Sequence, residues 1–337
     1  MNLSKQISFR RQMLLAALLV AVCMFLSSCN EKKNKVYRVG ILSGLNYMAD
    51  ATNGFKAKMT ELGYVEGKNI IYDLQKTDFD MAMYKSSLKK FVDDKVDLIF
   101  VFPTEASIEA KTATHRTNIP VVFAVANIEG TGLVDSVRQP GGNITGVRYP
   151  GPDLAIKRFE IMLELAPQAK RMWIPYQRGY PIVTSQLEVL RPAAASAGVT
   201  LEEAPADNAA ELRAILDARN KSIDIGMDAI LALAEPLFVT PDAFEVMGKF
   251  AAEHRLPIGG ALMLVGGYGS VFGVNIDPTN TGKQAAILAD KILRGTPAGT
   301  IPVVSSESYF EINYKAAREL GLKVSEGLLG RADKIIH

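Results

Sequence analysis

Residues 140–150 read Pro-Gly-Gly-Asn-Ile-Thr-Gly-Val-Arg-Tyr-Pro and lie near the middle of the 337-residue chain. Glycine and proline flank a short apolar core here, which indicates a segment that crosses between two domains rather than an element buried in either. The chain on each side of it follows the same order of strands, loops and helices. The stretch therefore predicts a two-lobed protein with a cleft between the lobes.

The first half alternates apolar, β-rich runs with helical stretches. Strands are predicted at 36–42, 69–74, 96–102 and 119–126, and helices at 48–62, 81–93 and 106–117. The run 96–102 is almost wholly apolar, as in a parallel strand that is buried on both faces. This alternation predicts an α/β fold with a doubly wound parallel sheet.

The second half repeats these landmarks in order. In each half a strand is followed by a tyrosine-bearing loop and a helix that ends at glycine, and the step from Val39 to Asp97 nearly equals that from Met172 to Asp228. The repeat predicts duplicated lobes; the alternative is two unrelated α/β domains with ordinary spacing.

The C-terminal part predicts a return to the first sheet, with a helix at 281–293 and a strand at 301–304. This return gives two more crossings, near 273–277 and 305–309. The lobes are predicted to comprise 36–147 with 277–305, and 148–276 with 306–337.

Composition restricts the partners. The net charge is +2, with 38 basic and 36 acidic residues and no block of like charge, so nothing argues for nucleic-acid binding. The three histidines are far apart and form no pair at ligand spacing, so neither a metal nor another cofactor is expected. A small-molecule partner is the remaining expectation.

The N-terminus has the pattern of a lipoprotein signal. Residues 1–28 combine a basic start with an apolar run that is shorter than the roughly 20 residues of a membrane-spanning helix. Leu-Ser-Ser before Cys29 resembles a lipoprotein cleavage box, which predicts lipidation of Cys29 and a tether at 29–35. A plain secretory signal and an uncleaved anchor are the alternatives. The expected location is extracytoplasmic, with the N-terminal lipid in the bacterial cell membrane.

Several motifs together resemble a known family, the tryptophan/tyrosine-type substrate-binding lipoproteins of ABC transporters, within the three-crossover class of periplasmic binding proteins. They are the lipoprotein box and the stretches Gly63–Asn69, Ile119–Ala124, Gly132–Ser136, Pro140–Gly146, Ile292–Gly295 and Glu311–Asn313. The resemblance implies two doubly wound lobes of the class I type and a monomer. It also implies a non-enzymatic protein that captures a small solute, with an amino-acid-like ligand favoured, and delivers it to the permease of an ABC importer.

Candidate ligand contacts follow from the rule that open α/β sheets bind ligands at the carboxyl ends of their strands. The resemblance adds Thr104, which matches a Thr-containing helix start, although the loops at 46–49 and 127–129 depart from the family's His-Pro-like and Asp-Pro stretches. The predicted ligand-binding residues are Asn46, Tyr47, Thr104, Glu105, Asn127, Glu129, Tyr149, Tyr176, Arg178, Glu235 and Asp277.

Each candidate has a structural alternative. The tyrosines, Tyr180 among them, stack on a planar ligand or pack at loop bases, with Tyr176 the best placed. Arg178 and Arg148 clamp a carboxylate or lie between the lobes. The glutamates bind an amine or hydroxyl-rich ligand, or form a solvated rim. Trp173 is predicted to be core, and Tyr268 in the glycine-rich loop 266–269 to be a lid residue.

Two other functions stay open at this point. A sensor that presents liganded lobes to a membrane receptor would bind in the same way without transporting anything. An enzyme on a duplicated α/β frame would need a paired nucleophile or base. No Gly-x-Ser-x-Gly or phosphate-loop motif occurs in the sequence.

Overall fold

The computed structural model describes residues 35–337, which form fifteen strands and eleven α-helices. The predicted signal and Cys29 lie outside the described residues. The strands are β1 (Tyr37–Ser43), β2 (Ile70–Lys76), β3 (Leu98–Phe102), β4 (Val121–Ala126), β5 (Ile144–Arg148), β6 (Arg171–Gln177), β7 (Thr200–Ala206), β8 (Ala229–Leu231), β9 (Ile258–Gly260), β10 (Leu264–Val265), β11 (Tyr268–Gly269), β12 (Phe272–Ile276), β13 (Val304–Ser305), β14 (Ser308–Asn313) and β15 (Lys334–Ile336). The helices are α1 (Asp50–Glu61), α2 (Met81–Asp93), α3 (Thr104–Thr114), α4 (Gly151–Leu165), α5 (Val183–Ser196), α6 (Ala209–Asn220), α7 (Pro236–Val239), α8 (Pro241–His254), α9 (Pro278–Leu293), α10 (Tyr314–Glu319) and α11 (Glu326–Gly330).

Two sheets form the two lobes. The first has the order β13-β5-β4-β3-β1-β2, with all pairs parallel. The second has the order β15-β14-β12-β9-β8-β6-β7, in which only β12 and β14 pair antiparallel. The order β5-β4-β3-β1-β2 corresponds strand for strand to β12-β9-β8-β6-β7, so the predicted repeat is confirmed. The predicted class, two doubly wound parallel-sheet lobes joined by three crossovers, is confirmed as well.

The stretch 140–150 differs from its prediction. Residues 144–148 are strand β5 of the first sheet, and four of the five are buried. Gly146 makes this possible, because a Cβ there would lie only 2.2 Å from the carbonyl oxygen of Phe123 on β4. The glycine thus serves close strand packing, and the crossing is confined to Tyr149 and Pro150, before α4.

The other two crossings follow β12 and β13. After Ile276 the chain enters α9, which packs on α1 of the first lobe: a Cβ at Gly54 would lie 1.9 Å from the carbonyl oxygen of Thr279. After Ser305 the chain passes to β14 of the second sheet. We propose the predicted boundaries as the limits of the two domains, except that the first lobe extends through Arg148, because Arg148 ends strand β5 of the first sheet.

The core confirms one prediction and corrects another. Trp173 on β6 is fully buried in a cluster of the second lobe. The glycine-rich loop is the turn of the β10–β11 hairpin rather than a free lid. Tyr268 packs against that same second-lobe cluster, and its Cβ would lie 2.6 Å from a Cβ at Gly248.

Candidate functional site

A cavity lies between the two lobes, at the carboxyl ends of β3, β4 and β8. It is partly open to solvent, and the empty space of about 590 Å³ between its walls includes part of that solvent. Its walls are formed by Leu45, Tyr47, Met48, Phe79, Pro103, Thr104, Val125 and Asn127 from the first lobe, by Tyr149 and Asn275 near the crossings, and by Arg158, Tyr180, Ile182, Leu233, Ala234, Glu235, Pro236, Val239 and Ala261 from the second.

Arg158 is a buried cation in this wall. It lies on α4 and is 1% exposed. Its Nε and Nη2 donate to the carbonyl oxygen of Val274 at 2.9 and 2.6 Å, and Nη2 also donates to the Tyr149 hydroxyl at 3.1 Å. Nη1 has no hydrogen-bond partner within residues 35–337. A buried guanidinium that lacks an anion is costly, so the site favours an anionic group.

Two acceptor oxygens in the same region also lack partners. Oδ1 of Asn127 and Oε2 of Glu105 are buried and accept no hydrogen bond from any described residue. The other oxygen of Glu105 accepts a hydrogen bond from the Tyr180 hydroxyl at 2.9 Å, which is a contact between the lobes. Such oxygens suit a ligand donor, and a carboxylate suits a cationic one.

The Tyr47 hydroxyl lies near several of the charged groups of this site. The residue is 58% exposed, but its hydroxyl is desolvated, which raises its pKa. Tyr149, Glu105 and Glu235 raise the pKa of Tyr47 further, and Arg158 opposes them. The Tyr47 hydroxyl therefore lies within electrostatic reach of the buried arginine and of both glutamates.

A bulge at the end of β4 shapes the first-lobe wall. The register of β4 with β5 shifts between Ala124 and Ala126, and Val125 has a φ of 51°. A β-branched residue rarely occupies this left-handed region, and such strain tends to occur at binding sites. The N–H of Asn127 then donates to the Thr104 hydroxyl at 3.1 Å, which ties the ends of β3 and β4 together.

Helix α3 begins at the cavity with Thr104. No side chain caps its N-terminus, and the preceding residue is Pro103, which has no N–H. The free backbone N–H groups and the helix dipole favour an anion there by about 0.3–2 kcal/mol. The first-lobe wall therefore carries a weakly positive helix end at Thr104.

Glu235 caps α7 and is 6% exposed. Its carboxylate accepts hydrogen bonds from the backbone N–H groups of Gln177, Leu237 and Phe238 at 3.1, 2.8 and 2.7 Å. Burial nevertheless raises its pKa to about 7, against these hydrogen bonds. The cavity can therefore change its charge near neutral pH.

The structure places six predicted residues at the cavity. Tyr47, Thr104, Asn127, Tyr149 and Glu235 line it, and Glu105 joins them through Tyr180. All but Tyr149, which lies at the first crossing, come directly after a strand, or from the loop that follows it. The rule for carboxyl ends of parallel strands accounts for their meeting.

Five predicted residues lie elsewhere, because each meets a competing partner or solvent. Asn46 is exposed on a 3₁₀ turn, where its backbone N–H donates to Asp78. The carboxylate of Glu129 pairs with Arg148, and exposed Asp277 accepts the N–H of Asn280 as the N-cap of α9.

The remaining two lie together in the second lobe and do not line the interlobe cavity. Arg178 is paired with Asp207 and Glu211, and the Tyr176 hydroxyl donates to Glu203 at 3.4 Å. These ion pairs and hydrogen bonds hold both side chains away from the interlobe cavity, so Tyr176, expected to be the best-placed tyrosine, does not line it.

Sequence reasoning missed Arg158 and Asn275. A signal for Arg158 was present, because it lies four residues after Leu154 and four before Met162, on the buried face of α4. A charged residue on an apolar stripe calls for a partner. Asn275, which accepts a hydrogen bond from the Tyr149 hydroxyl, has no comparable signal.

No helix within 35–337 is long and apolar enough to cross a membrane. No group of three or more metal-ligating side chains occurs in the same part of the chain.

Comparison with known proteins gives consistent matches. The family model described as ABC transporter substrate binding protein matches residues 40–336. The tyrosine-binding protein of Clostridioides difficile (strain R20291) is 28% identical over 297 residues, which cover 87% of this chain and 83% of that protein.

Solved structures match over similar lengths. A conserved domain protein of Vibrio cholerae is 26% identical with a TM-score of 0.74, covering 89% of this chain and 100% of its own. The ABC domain of Streptococcus pneumonia in complex with L-Trp is 23% identical with a TM-score of 0.76, covering 90% of this chain and 100% of its own. The latter likeness supports the fold alone.

The family match covers nearly all of the described chain, and the matched structures share its two-lobed fold. Substrate-binding proteins of this kind act outside the cytoplasm, where they bind small solutes and interact with a permease. The chain belongs to the ABC transporter substrate-binding protein family.

Proposed function

We propose that this substrate-binding protein captures an α-amino acid between its lobes and delivers it to an ABC importer. The observation that carries the proposal is the free Nη1 of Arg158, a buried cation with no acidic partner in the described chain. A ligand carboxylate supplies the missing anion. Hydrogen bonds to charged groups contribute about 1.5–3 kcal/mol, enough to decide which ligand binds.

The ammonium group of an amino acid also finds hydrogen-bond acceptors at this site. The free Oε2 of Glu105 and the free Oδ1 of Asn127 are both buried and suit an ammonium group. A cavity that holds one cation and one or two carboxylates matches a zwitterion better than a singly charged ligand, because each ligand charge then meets its complement.

The walls favour an aromatic side chain on the ligand. Tyr47, Phe79, Tyr149 and Tyr180 contribute aromatic surface, and Met48 a flexible apolar one. Aromatic pairs add about 0.5–1.5 kcal/mol each beyond the area they bury. The name of one relative, the tyrosine-binding protein, supports the same ligand class.

Binding is coupled to closure of the lobes about the three crossings. A ligand drives such a movement only as far as it binds the closed form better than the open one. Arg158 belongs to the second lobe, and Glu105 and Asn127 belong to the first. A zwitterion that contacts both supplies the required difference.

The proposal includes a lipid anchor at Cys29, a monomeric state and no catalytic step. The lipoprotein box and the role of the family support these points. Growth with radiolabelled palmitate tests the anchor: the wild type incorporates label, and Cys29→Ala does not. Label retained in that variant would overturn the anchor without affecting the ligand assignment.

Calorimetry tests the ligand class. The purified protein is titrated with L-tyrosine, L-tryptophan and L-phenylalanine, and with tyramine, which lacks the carboxylate. We expect at least one amino acid to bind, and tyramine to bind at least about 10-fold more weakly than tyrosine if tyrosine does. Glucose and adenosine serve as controls. Binding of either control with no response to any amino acid would refute the proposal.

A further inference from the structure

A side-chain hydrogen bond links the two lobes at the ligand cavity. The Tyr180 hydroxyl, in the loop after β6 of the second lobe, donates to Oε1 of Glu105 at 2.9 Å. Glu105 lies in the first turn of α3 in the first lobe. This contact exists only while the lobes lie close together.

Tyr180 is the residue that fixes Glu105. No Lys, Arg or His of the described chain pairs with this carboxylate, and its Oε2 is buried without a hydrogen bond. When the lobes separate, Glu105 loses its one side-chain partner and its rotamers become free. When they close, one oxygen is held and the other is left for a ligand.

We propose that Tyr180 is a positioning residue, which orients the Glu105 carboxylate toward the ammonium group of the ligand and so ties ammonium recognition to lobe closure. This inference rests on the proposed amino-acid ligand. It assigns to Tyr180 a role beyond that of an aromatic wall.

The chemistry of the pair fits this role. Burial and the neighbouring Glu105 raise the pKa of Tyr180, so its hydroxyl stays protonated and keeps donating at neutral pH. A tyrosine that holds one carboxylate oxygen leaves the negative charge in place, whereas a lysine or arginine would neutralise it. Glu105 therefore keeps its attraction for an ammonium group while losing its freedom to turn away.

The test separates positioning from wall contact by comparing ligands with and without the ammonium group. Wild type and Tyr180→Phe are titrated with L-tyrosine and L-tryptophan, each beside its des-amino analogue, 3-(4-hydroxyphenyl)propanoate or indole-3-propanoate. The phenylalanine ring preserves the aromatic surface of the cavity wall and removes only the hydroxyl. We expect the Kd of the bound amino acid to rise about 10-fold in Tyr180→Phe, and that of its des-amino analogue to change less than about twofold.

Two further variants sharpen the comparison. Tyr176→Phe is the matched control, because it removes a hydroxyl that contacts Glu203 outside the cavity; it should leave all affinities unchanged. Glu105→Gln keeps the shape of the side chain and removes its charge. It should lower the affinity for the amino acid and leave the affinity for the des-amino analogue unchanged. Adding Tyr180→Phe to Glu105→Gln should then produce little further loss, since Tyr180 acts through Glu105.

Melting temperatures without ligand establish that each variant is folded. An equal loss for amino acid and analogue in Tyr180→Phe, or no loss for either, would overturn the role of Tyr180 and leave the amino-acid assignment standing. A wild type that binds the amino acids no better than their des-amino analogues would overturn both.

Discussion

Replacing Arg158 by methionine tests the centre of the proposed site. Methionine fills much of the same volume, and it removes the buried charge together with the free Nη1. In the unliganded protein two effects oppose each other. The Val274 carbonyl loses its donors, which costs about 1–3 kcal/mol, while the unpaired cation, costly in itself, disappears. We expect a folded variant with a modest change in the free energy of unfolding.

The substitution has a larger effect on the liganded protein, because it removes a contact with the ligand carboxylate. A charge-assisted contact to a carboxylate contributes about 1.5–3 kcal/mol, which corresponds to a Kd roughly 10- to 150-fold higher. An amino acid at 100 times the wild-type Kd stabilises the wild type by about 2.7 kcal/mol. If the Kd rises 100-fold, the same concentration stabilises the variant by only about 0.4 kcal/mol.

Thermal unfolding with and without the ligand measures this difference, and calorimetry gives the Kd directly. Arg178→Met is the matched control, because Arg178 is an arginine of the same lobe that pairs with Asp207 and Glu211 at the surface. Exposed ion pairs contribute about 0–1 kcal/mol, so this variant should bind normally. Wild-type affinity in a folded Arg158→Met protein, or an equal loss in Arg178→Met, would refute the reasoning.

Three further predictions concern stability. The Glu235 carboxyl has a pKa of about 7 in the folded protein against 4.5 as its ordinary value, so the folded state binds more protons between these pH values. The free energy of unfolding should therefore fall as the pH rises through 7, by about 3 kcal/mol in all, in urea titrations from pH 4.5 to 8.5. Trp173→Ala should cost about 3–5 kcal/mol in a urea titration, because the ring is fully buried. Gly54→Ala should cost at least about 1–3 kcal/mol by the same measurement, because the new Cβ would lie 1.9 Å from the carbonyl oxygen of Thr279.

Each of the three stability predictions has a control variant or an outcome that would contradict it. Glu235→Gln should flatten the pH dependence between pH 4.5 and 8.5, and an unchanged slope would assign it to another group. Gly327→Ala is the control for Gly54, since a Cβ there meets nothing closer than 3.9 Å. Equal effects of the two alanines would show that close helix packing is not the cause. A loss below about 1 kcal/mol in Trp173→Ala would contradict a tightly packed second-lobe core.

Much of the site was predictable where one local rule decides it. The apolar run of β3 ends at Phe102 and a helix begins at Thr104, so Thr104 and Glu105 had to lie at the carboxyl edge of a parallel sheet. The same rule places Asn127 after β4 and Glu235 after β8. Each of these positions follows from the alternation of strands and helices and from the handedness of the connections between strands. Both are properties of short segments of the chain.

Other residues depend on partners that are distant in the chain. Glu129 and Arg148 each looked like a ligand contact, and they satisfy one another. Arg178 is held by Asp207 and Glu211, which lie about 30 residues further on. The alternation of strands and helices along the chain shows that a charged side chain follows a strand. It does not show which oppositely charged residue pairs with that side chain in the folded protein.

The sequence by itself thus determined the two duplicated α/β lobes, the three crossings and the family, because hydrophobic periodicity, turn residues and motif order are local. Tertiary structure alone decided that residues 144–148 are a buried strand, since this depends on how closely Gly146 approaches Phe123. It also decided that Arg158 faces the cavity with one nitrogen free and that Tyr180 meets Glu105 across the lobes. Burial and pairing of charge are set by the whole fold, and no segment carries them alone.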